Sequence, residues 1–256
     1  MDFLLECIGF PPGYDLGRLG QEIRSHGEAA PWRGPHGLHL RYPFPGGLEV
    51  RLDQEQGESG ETIRPYFETQ HRLRVAVQSL RLSPESSGDA LLHGMANPPI
   101  PDDPWQELSD EDYPICAWLS NARRLPRKLD PGHVLALSLS GFALDVTYLG
   151  PNDGVRDPYI LEEPRGAQLL PLEGPDAPNG CMELSLRIRS LRHLQNPLTG
   201  EPVEALEVDA PGRPLELFVS QWQLANAGFA NPHPGWRIEG AFLFFGRVAG
   251  GLPRRG

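Results

Sequence analysis

The sequence predicts a mainly β protein in which a short β-α-β-β unit precedes two small, partly open β-barrels. Three observations predict this fold. Apolar and polar residues alternate along many short segments, 28 Pro and 29 Gly recur between those segments, and two distant stretches share one pattern. Alternation at period two is typical of half-buried strands, and Pro and Gly are typical of the turns between them.

Residues 1–62 are predicted to form the β-α-β-β unit. The apolar run FLLECIGF at 3–10 favours a strand. A helix should follow, with Asp15 as its N-cap and Gly27 just past its end. The hairpin is predicted by alternation on both sides of Pro45-Gly46-Gly47, with Leu38, Leu40, Tyr42 and Phe44 before the turn and Leu48, Val50 and Leu52 after it.

The polar residues of this hairpin include His39, three positions after His36. Two such histidines would bind a metal ion only with further ligands, and no Cys or carboxylate stands nearby at ligand spacing. We therefore expect these histidines to be exposed to solvent.

An internal repeat predicts the two barrels. LRVAVQSLRL at 73–82 aligns without gaps with LSLRIRSLRH at 184–193, and in both the alternation slips at Ser-Leu-Arg, as a β-bulge requires. Two further pairs of segments match in the same order, 113–120 with 213–222 and 130–149 with 233–250.

The order of strands within each copy resembles the oligonucleotide/oligosaccharide-binding (OB) barrel. We therefore predict OB-like barrels at 63–149 and 181–250, a Pro/Gly-rich linker at 150–180 and a tail at 251–256. This is an analogy of fold, and a fold does not define a function.

Charge is distributed unevenly along the chain. The formal net charge is −11, but residues 181–256 contribute +1, so residues 1–180 contribute −12. An acidic body repels nucleic acid, which leaves only the last third as a candidate for binding it. Lys128 is the only lysine, and the arginine bias is typical of a bacterium with a GC-rich genome.

Further patterns predict a soluble cytoplasmic protein without a cofactor or a metal site. Three isolated cysteines give no disulfide framework and no zinc spacing, the first residues do not resemble a signal peptide, and no apolar stretch would span a bilayer. Phosphate-binding glycine loops and the nucleophile elbow are missing. The acidic run at 99–114 lacks the glycine that a calcium loop needs. No catalytic residue is predicted.

Strand parity selects the candidate binding residues. Trp118, Phe218 and Trp222 fall on otherwise polar strand faces, where OB-type folds stack bases or sugars. Arg187, Arg189 and Arg192 follow one strand beside them and would contact phosphates. The alternative is that these aromatics pack internally and that the arginines form a solvent face, and packing is the favoured alternative.

The final strand is apolar on both faces, with Trp236, Phe242 and Phe244 on one face and Phe245 on the other. Such a strand is normally covered on both sides, by this chain or by a second copy. The leading hypothesis is therefore a non-enzymatic binding or scaffold protein that contacts a protein partner or forms a homodimer. The alternatives are single-stranded nucleic-acid binding by the second barrel and an enzyme of unrecognised type.

Overall fold

The computed structural model describes residues 2–30, 37–57, 60–83, 86, 88–98, 112–126, 129–150, 168–172, 180–224 and 231–251. Strands dominate this part of the chain, so the predicted mainly β class is confirmed. The strands are β1 (Glu28–Ala29), β2 (Leu38–Pro43), β3 (Leu48–Gln54), β4 (Thr62–Phe67), β5 (Leu73–Leu82), β6 (Ala90–Ala96), β7 (Tyr113–Leu119), β8 (Val134–Leu149), β9 (Gln168–Pro171), β10 (Cys181–Gln195), β11 (Pro202–Asp209), β12 (Leu215–Val219) and β13 (Arg237–Gly250).

The first four strands form a separate antiparallel sheet in the order β1-β2-β3-β4. The predicted β2–β3 hairpin is confirmed, and its turn places Gly46 and Gly47 at φ 86° and 90°, where a side chain would be strained. The predicted strand at 3–10 is wrong, because Asp2–Ile8 forms a 3₁₀ helix. A continuous apolar run has no period that separates a strand from a buried helical turn.

The α-helix of the N-terminal unit, α1 (Leu16–His26), begins where the sequence predicts. The Asp15 carboxylate accepts a hydrogen bond from the Arg18 backbone N–H at 3.0 Å, which makes it the N-cap. Leu19 and Ile23 are buried and face the small sheet. Gly27 follows the helix with an extended backbone, and its N–H donates to the Ile23 carbonyl.

The other nine strands form one sheet that contains two closed rings of pairings. The first ring runs β5-β6-β7-β13-β8 and the second runs β10-β11-β12-β8-β13. Both rings contain the long strands β8 and β13, which also pair with each other. The segments 63–149 and 181–250 are therefore joined through their last strands.

The two rings have corresponding registers. A bulge interrupts β5 between Val77 and Ser79, and another interrupts β10 between Ile188 and Ser190, so the predicted bulges are confirmed. Each bulge is closed by the same pair of backbone hydrogen bonds to a Pro-Gly turn, at Gly132 and at Gly235. The parallel pairings that close the rings also correspond, with Trp118 opposite Phe245 and Phe218 opposite Phe142.

Buried apolar side chains form two clusters. The first draws its residues from β5 to β13 and includes Phe242 and Phe244. The second joins the 3₁₀ helix, α1 and the small sheet to the nine-stranded sheet, where it includes Phe142, Phe218 and Phe245. The N-terminal unit therefore shares a core with the larger sheet. Most of the predicted linker, the acidic run at 99–111 and the tail at 252–256 lie outside the described residues.

Candidate functional site

The arginines predicted along β10 are exposed, as expected for a solvent face. Two of them have acidic neighbours across the strands. Arg189 lies 3.4 Å from a Glu207 carboxylate oxygen, and Arg192 donates to Glu216 at 2.5 Å. Paired guanidinium groups offer little free positive charge, so this row is a weak site for phosphate.

Phe218, the central residue of the proposed stacking platform, has no exposed surface. Its ring stacks on Phe142 with centroids 5.4 Å apart and lies 5.0 Å from the ring of Phe67 at the end of β4. A fully covered ring has no face left for a base or a sugar. The stacking hypothesis for Phe218 is therefore wrong in this conformation, and the packing alternative describes its position.

The two tryptophans of the same hypothesis are half-buried. Trp118 on β7 packs against both apolar clusters, and the backbone of Gly180 lies against its indole. Trp222 lies in the 3₁₀ turn Gln221–Gln223 after β12, not on the strand itself. The three aromatics therefore do not share one open surface.

The predicted interface residues of β13 are covered by this chain. Phe242 and Phe244 are buried in the first cluster and Phe245 in the second, which explains why both faces of the strand are apolar. Trp236 is half-buried and meets the His233 ring edge-on at 5.8 Å. Phe242, Phe244 and Phe245 therefore offer no exposed surface to a partner, and for them the interface hypothesis is wrong, because this chain itself covers both faces of the strand. Trp236, just before β13, keeps part of its surface accessible.

A buried charged surface lies where the small sheet meets the larger one. The prediction that His39 is exposed to solvent is wrong, because the central polar side chains on this face of the small sheet are almost inaccessible to solvent. They are His39 on β2, Glu49, Arg51 and Asp53 on β3, and Arg64 and Tyr66 on β4. Alternation identifies residues that share a face, but it does not identify what covers that face.

Arg64 links two carboxylates across this contact. Its guanidinium donates to Asp89, just before β6, at 2.6 Å and lies 3.5 Å from Asp53. Asp53 in turn lies 2.7 Å from Nδ1 of His39, its cross-strand neighbour. Burial disfavours the charged guanidinium, but the Asp89 and Asp53 carboxylates outweigh this and raise the pKa of Arg64.

Arg51 makes a second link of the same kind. It donates to Glu49 at 2.6 Å and to the Ser120 hydroxyl, after β7, at 3.1 Å. Its guanidinium carbon lies 3.1 Å from the centroid of the Tyr66 ring, a cation–π contact. Ion pairs of Arg123 with Glu55 and of Arg247 with Glu68 continue the contact at its rim.

This arrangement is suited to holding two sheets together. A His–Asp pair orients a general base in many enzymes, but the Asp53 carboxylate here also faces Arg64, and the whole group is nearly closed to solvent. Buried charges that lose their partner are costly, so the network disfavours any other placement of the N-terminal unit. We interpret it as a structural contact.

All three cysteines are free and buried. Burial raises the pKa of the Cys116 and Cys181 thiols to about 11 and raises that of Cys7 further. Because the thiolate is the nucleophile, these positions are poorly suited to covalent catalysis. Cys116 lies 3.5 Å from Nε2 of His93, but no group of three or more metal-binding side chains occurs among the described residues.

Exposed apolar side chains draw attention to β9, the strand at one end of the nine-stranded sheet. Leu170 is 57% exposed and Leu172, two residues on, is 36% exposed. Leu170 stands opposite the exposed Glu183 of β10. One exposed leucine on a terminal strand, with a second just past the end of the strand, marks a candidate contact surface.

Comparison with protein-family models, with curated proteins and with solved structures finds no match. Among the described residues, no helix has the length and apolar character needed to cross a membrane.

Proposed function

We propose that this protein is a non-enzymatic scaffold that associates through strand β9. The partner that we propose first is a second copy of the same chain. The observation that carries the proposal is the exposure of Leu170 on the terminal strand and of Leu172 just after it. Burying both against a partner would remove apolar surface from water, which favours association.

Two interlocked OB-like barrels, derived from one duplicated module, would form the scaffold. The corresponding bulges at Ser79 and Ser190 support a duplication, as do the two Pro-Gly turns that close them. The shared strands β8 and β13 support a rigid body, because neither ring closes without both of them. A rigid body presents a surface strand in a fixed geometry, which lowers the entropic cost of binding.

Light scattering coupled to size-exclusion chromatography tests the proposal. We expect wild-type chains to form a dimer that Leu170→Glu dissociates, because a buried carboxylate without a partner opposes association. Leu82→Glu is the matched control, since Leu82 is 61% exposed at the end of β5 on a different strand. The proposal in its self-association form fails if the wild-type protein is monomeric at high concentration.

A different protein partner is the second form of the same proposal. In that case the wild-type chain and the Leu82→Glu variant retain a bound protein that the Leu170→Glu variant loses. Equal retention by all three chains would show that β9 is not the contact surface.

A further inference from the structure

A small cleft opens beside the 3₁₀ helix Asp2–Ile8, and none of the residues of the charged contact or of β9 lines it. Its volume is about 160 Å³. This is below the roughly 300–1,000 Å³ of pockets that enclose whole drug-sized ligands. The cleft therefore suits a single small chemical group. It is lined by Phe3, Leu5, Glu6, Phe10, Pro11, Gly13, Tyr14 and Leu16.

Three aromatic rings contribute to the lining. Phe10 and Leu5 are buried and lie behind the cleft, whereas Phe3 is 42% exposed and Tyr14 is half-buried, so the accessible rings are those of Phe3 and Tyr14. Phe10 and Tyr14 meet edge to face, with centroids 4.8 Å apart. Aromatic walls attract cations through the negative potential above each ring, and they do so best for weakly hydrated cations.

Glu6 is the one acidic residue of this lining. Its backbone carbonyl accepts hydrogen bonds from the Ser220 hydroxyl at 2.5 Å and from the Gly9 N–H at 3.0 Å. Its carboxylate has no hydrogen bond or ion pair within the part of the chain that the structure describes. Burial raises the pKa of this carboxyl group. A bound cation would supply the missing countercharge.

The walls are held in place by contacts with the large sheet. The Cys7 thiol donates to the Ala143 carbonyl at 2.6 Å, Asn196 donates to the Ile8 carbonyl at 2.8 Å, and the Thr199 hydroxyl donates to the Gly9 carbonyl at 2.6 Å. These bonds fix the segment that carries Glu6 and Phe10 before any ligand arrives. A preformed site loses little entropy when it binds a ligand.

We propose that this cleft binds a methylated ammonium group, with the accessible rings of Phe3 and Tyr14 against the methyl groups and the Glu6 carboxylate as countercharge. A methylated ammonium group combines positive charge with an apolar surface, and both features match the lining. Such a group occurs in free quaternary ammonium compounds and in the methylated lysine side chains of proteins. The two sources share the chemistry and differ in what surrounds the bound group.

Amide chemical shifts of the full-length chain test the proposal. Choline chloride, a peptide with one trimethyllysine and 3,3-dimethyl-1-butanol, the uncharged isostere of choline, are titrated separately at constant ionic strength. We expect saturable shifts in residues 3–16 with both cations. The neutral alcohol should bind about tenfold more weakly than choline, because it has no charge to interact with the aromatic rings and Glu6. A tighter interaction with the peptide than with choline would identify a protein side chain as the source, and the reverse order would identify a free compound.

Glu6→Gln preserves the shape of the side chain and removes its charge, so it should weaken choline binding by about tenfold. Asp209→Asn, which removes the same charge from an exposed position at the end of β11, is the control and should bind as wild type does. The amide spectrum shows in the same experiment whether each variant is folded. Equal affinity for choline and the alcohol, no saturable shift with either cation, or unchanged binding by Glu6→Gln would each overturn the proposal.

Discussion

The guanidinium of Arg64 donates a 2.6 Å hydrogen bond to the carboxylate of Asp89, and both side chains are almost inaccessible to solvent. Arg64 belongs to the small N-terminal sheet, whereas Asp89 precedes β6 of the large sheet. The pair therefore joins two separate sheets. Because both side chains are buried, water cannot replace a partner that is lost there.

Arg64→Met should strongly destabilise the fold. The substitution removes the guanidinium that faces two buried carboxylates, Asp89 and Asp53, and breaking a buried ion pair typically costs about 3–5 kcal/mol. Arg72→Met is the control. Arg72 forms an exposed ion pair with Glu68 at the long distance of 3.9 Å, so the loss of this pair should cost less than about 1 kcal/mol. Urea unfolding at neutral pH measures both values. Equal costs would contradict the structural role of the charged contact.

Gly246→Ala should disturb the strand that both rings share. Gly246 on β13 pairs with β7 on one side and with β8 on the other. A Cβ atom there would stand 2.0 Å from the Ser138 carbonyl oxygen, so the backbone must shift. We expect destabilisation of about 1–3 kcal/mol or more. Gly60→Ala, where a Cβ meets nothing within 4 Å, should leave the free energy of unfolding unchanged. Similar unfolding curves for the two variants would argue against the β7–β13–β8 pairing.

The thiols should react slowly in the folded protein. With the pKa of Cys116 and Cys181 at about 11, the thiolate fraction at about pH 8 falls by roughly a hundredfold relative to an ordinary cysteine. Ellman's reagent should therefore label native protein far more slowly than urea-unfolded protein, in which all three thiols react. Rapid labelling of the native protein would show that these sites are open.

Tyr148→Phe should destabilise the fold in a pH-dependent way. The Tyr148 hydroxyl donates to Glu204, whose pKa burial raises. Without this donor, ionised Glu204 loses a hydrogen bond, at a cost of about 1–3 kcal/mol near neutral pH. A raised carboxyl pKa means that stability is greatest with the group protonated and falls as pH rises. The deficit of the variant should therefore shrink towards about pH 4.5, the ordinary glutamate pKa, because Glu204 with its raised pKa is already mostly protonated there in the folded protein. Urea unfolding at both pH values measures it, and a deficit that is independent of pH would exclude this mechanism.

The sequence predicts which residues form strands, turns and bulges better than it predicts which side chains are buried. Alternation correctly indicated the β2–β3 hairpin and the bulges before Ser79 and Ser190, because register and bulges leave a period-two signal. It misassigned the surroundings of His39, because a polar face covered by a second sheet has the same alternation as a solvated one. The covering residues, such as Asp89 and Ser120, come from distant parts of the chain.

The same difference between local structure and burial applies to the candidate site residues. Parity correctly placed Arg187 and Arg189 on an exposed face, and it correctly separated Phe244 from Phe245. It did not show that the N-terminal unit covers Phe218, since no local pattern encodes that contact. The cleft beside Glu6 was also missed, because the segment that lines it was predicted to be a strand.

Site-specific cross-linking between copies tests the scaffold proposal most directly. A single cysteine introduced as Leu170→Cys would face its symmetry mate, while the native thiols are buried and poorly reactive. Mild oxidation of this variant should then give a covalent dimer, and the equally exposed variant Leu82→Cys should remain a monomer under the same conditions. A covalent dimer formed equally by both variants, or by neither, would contradict self-association through β9.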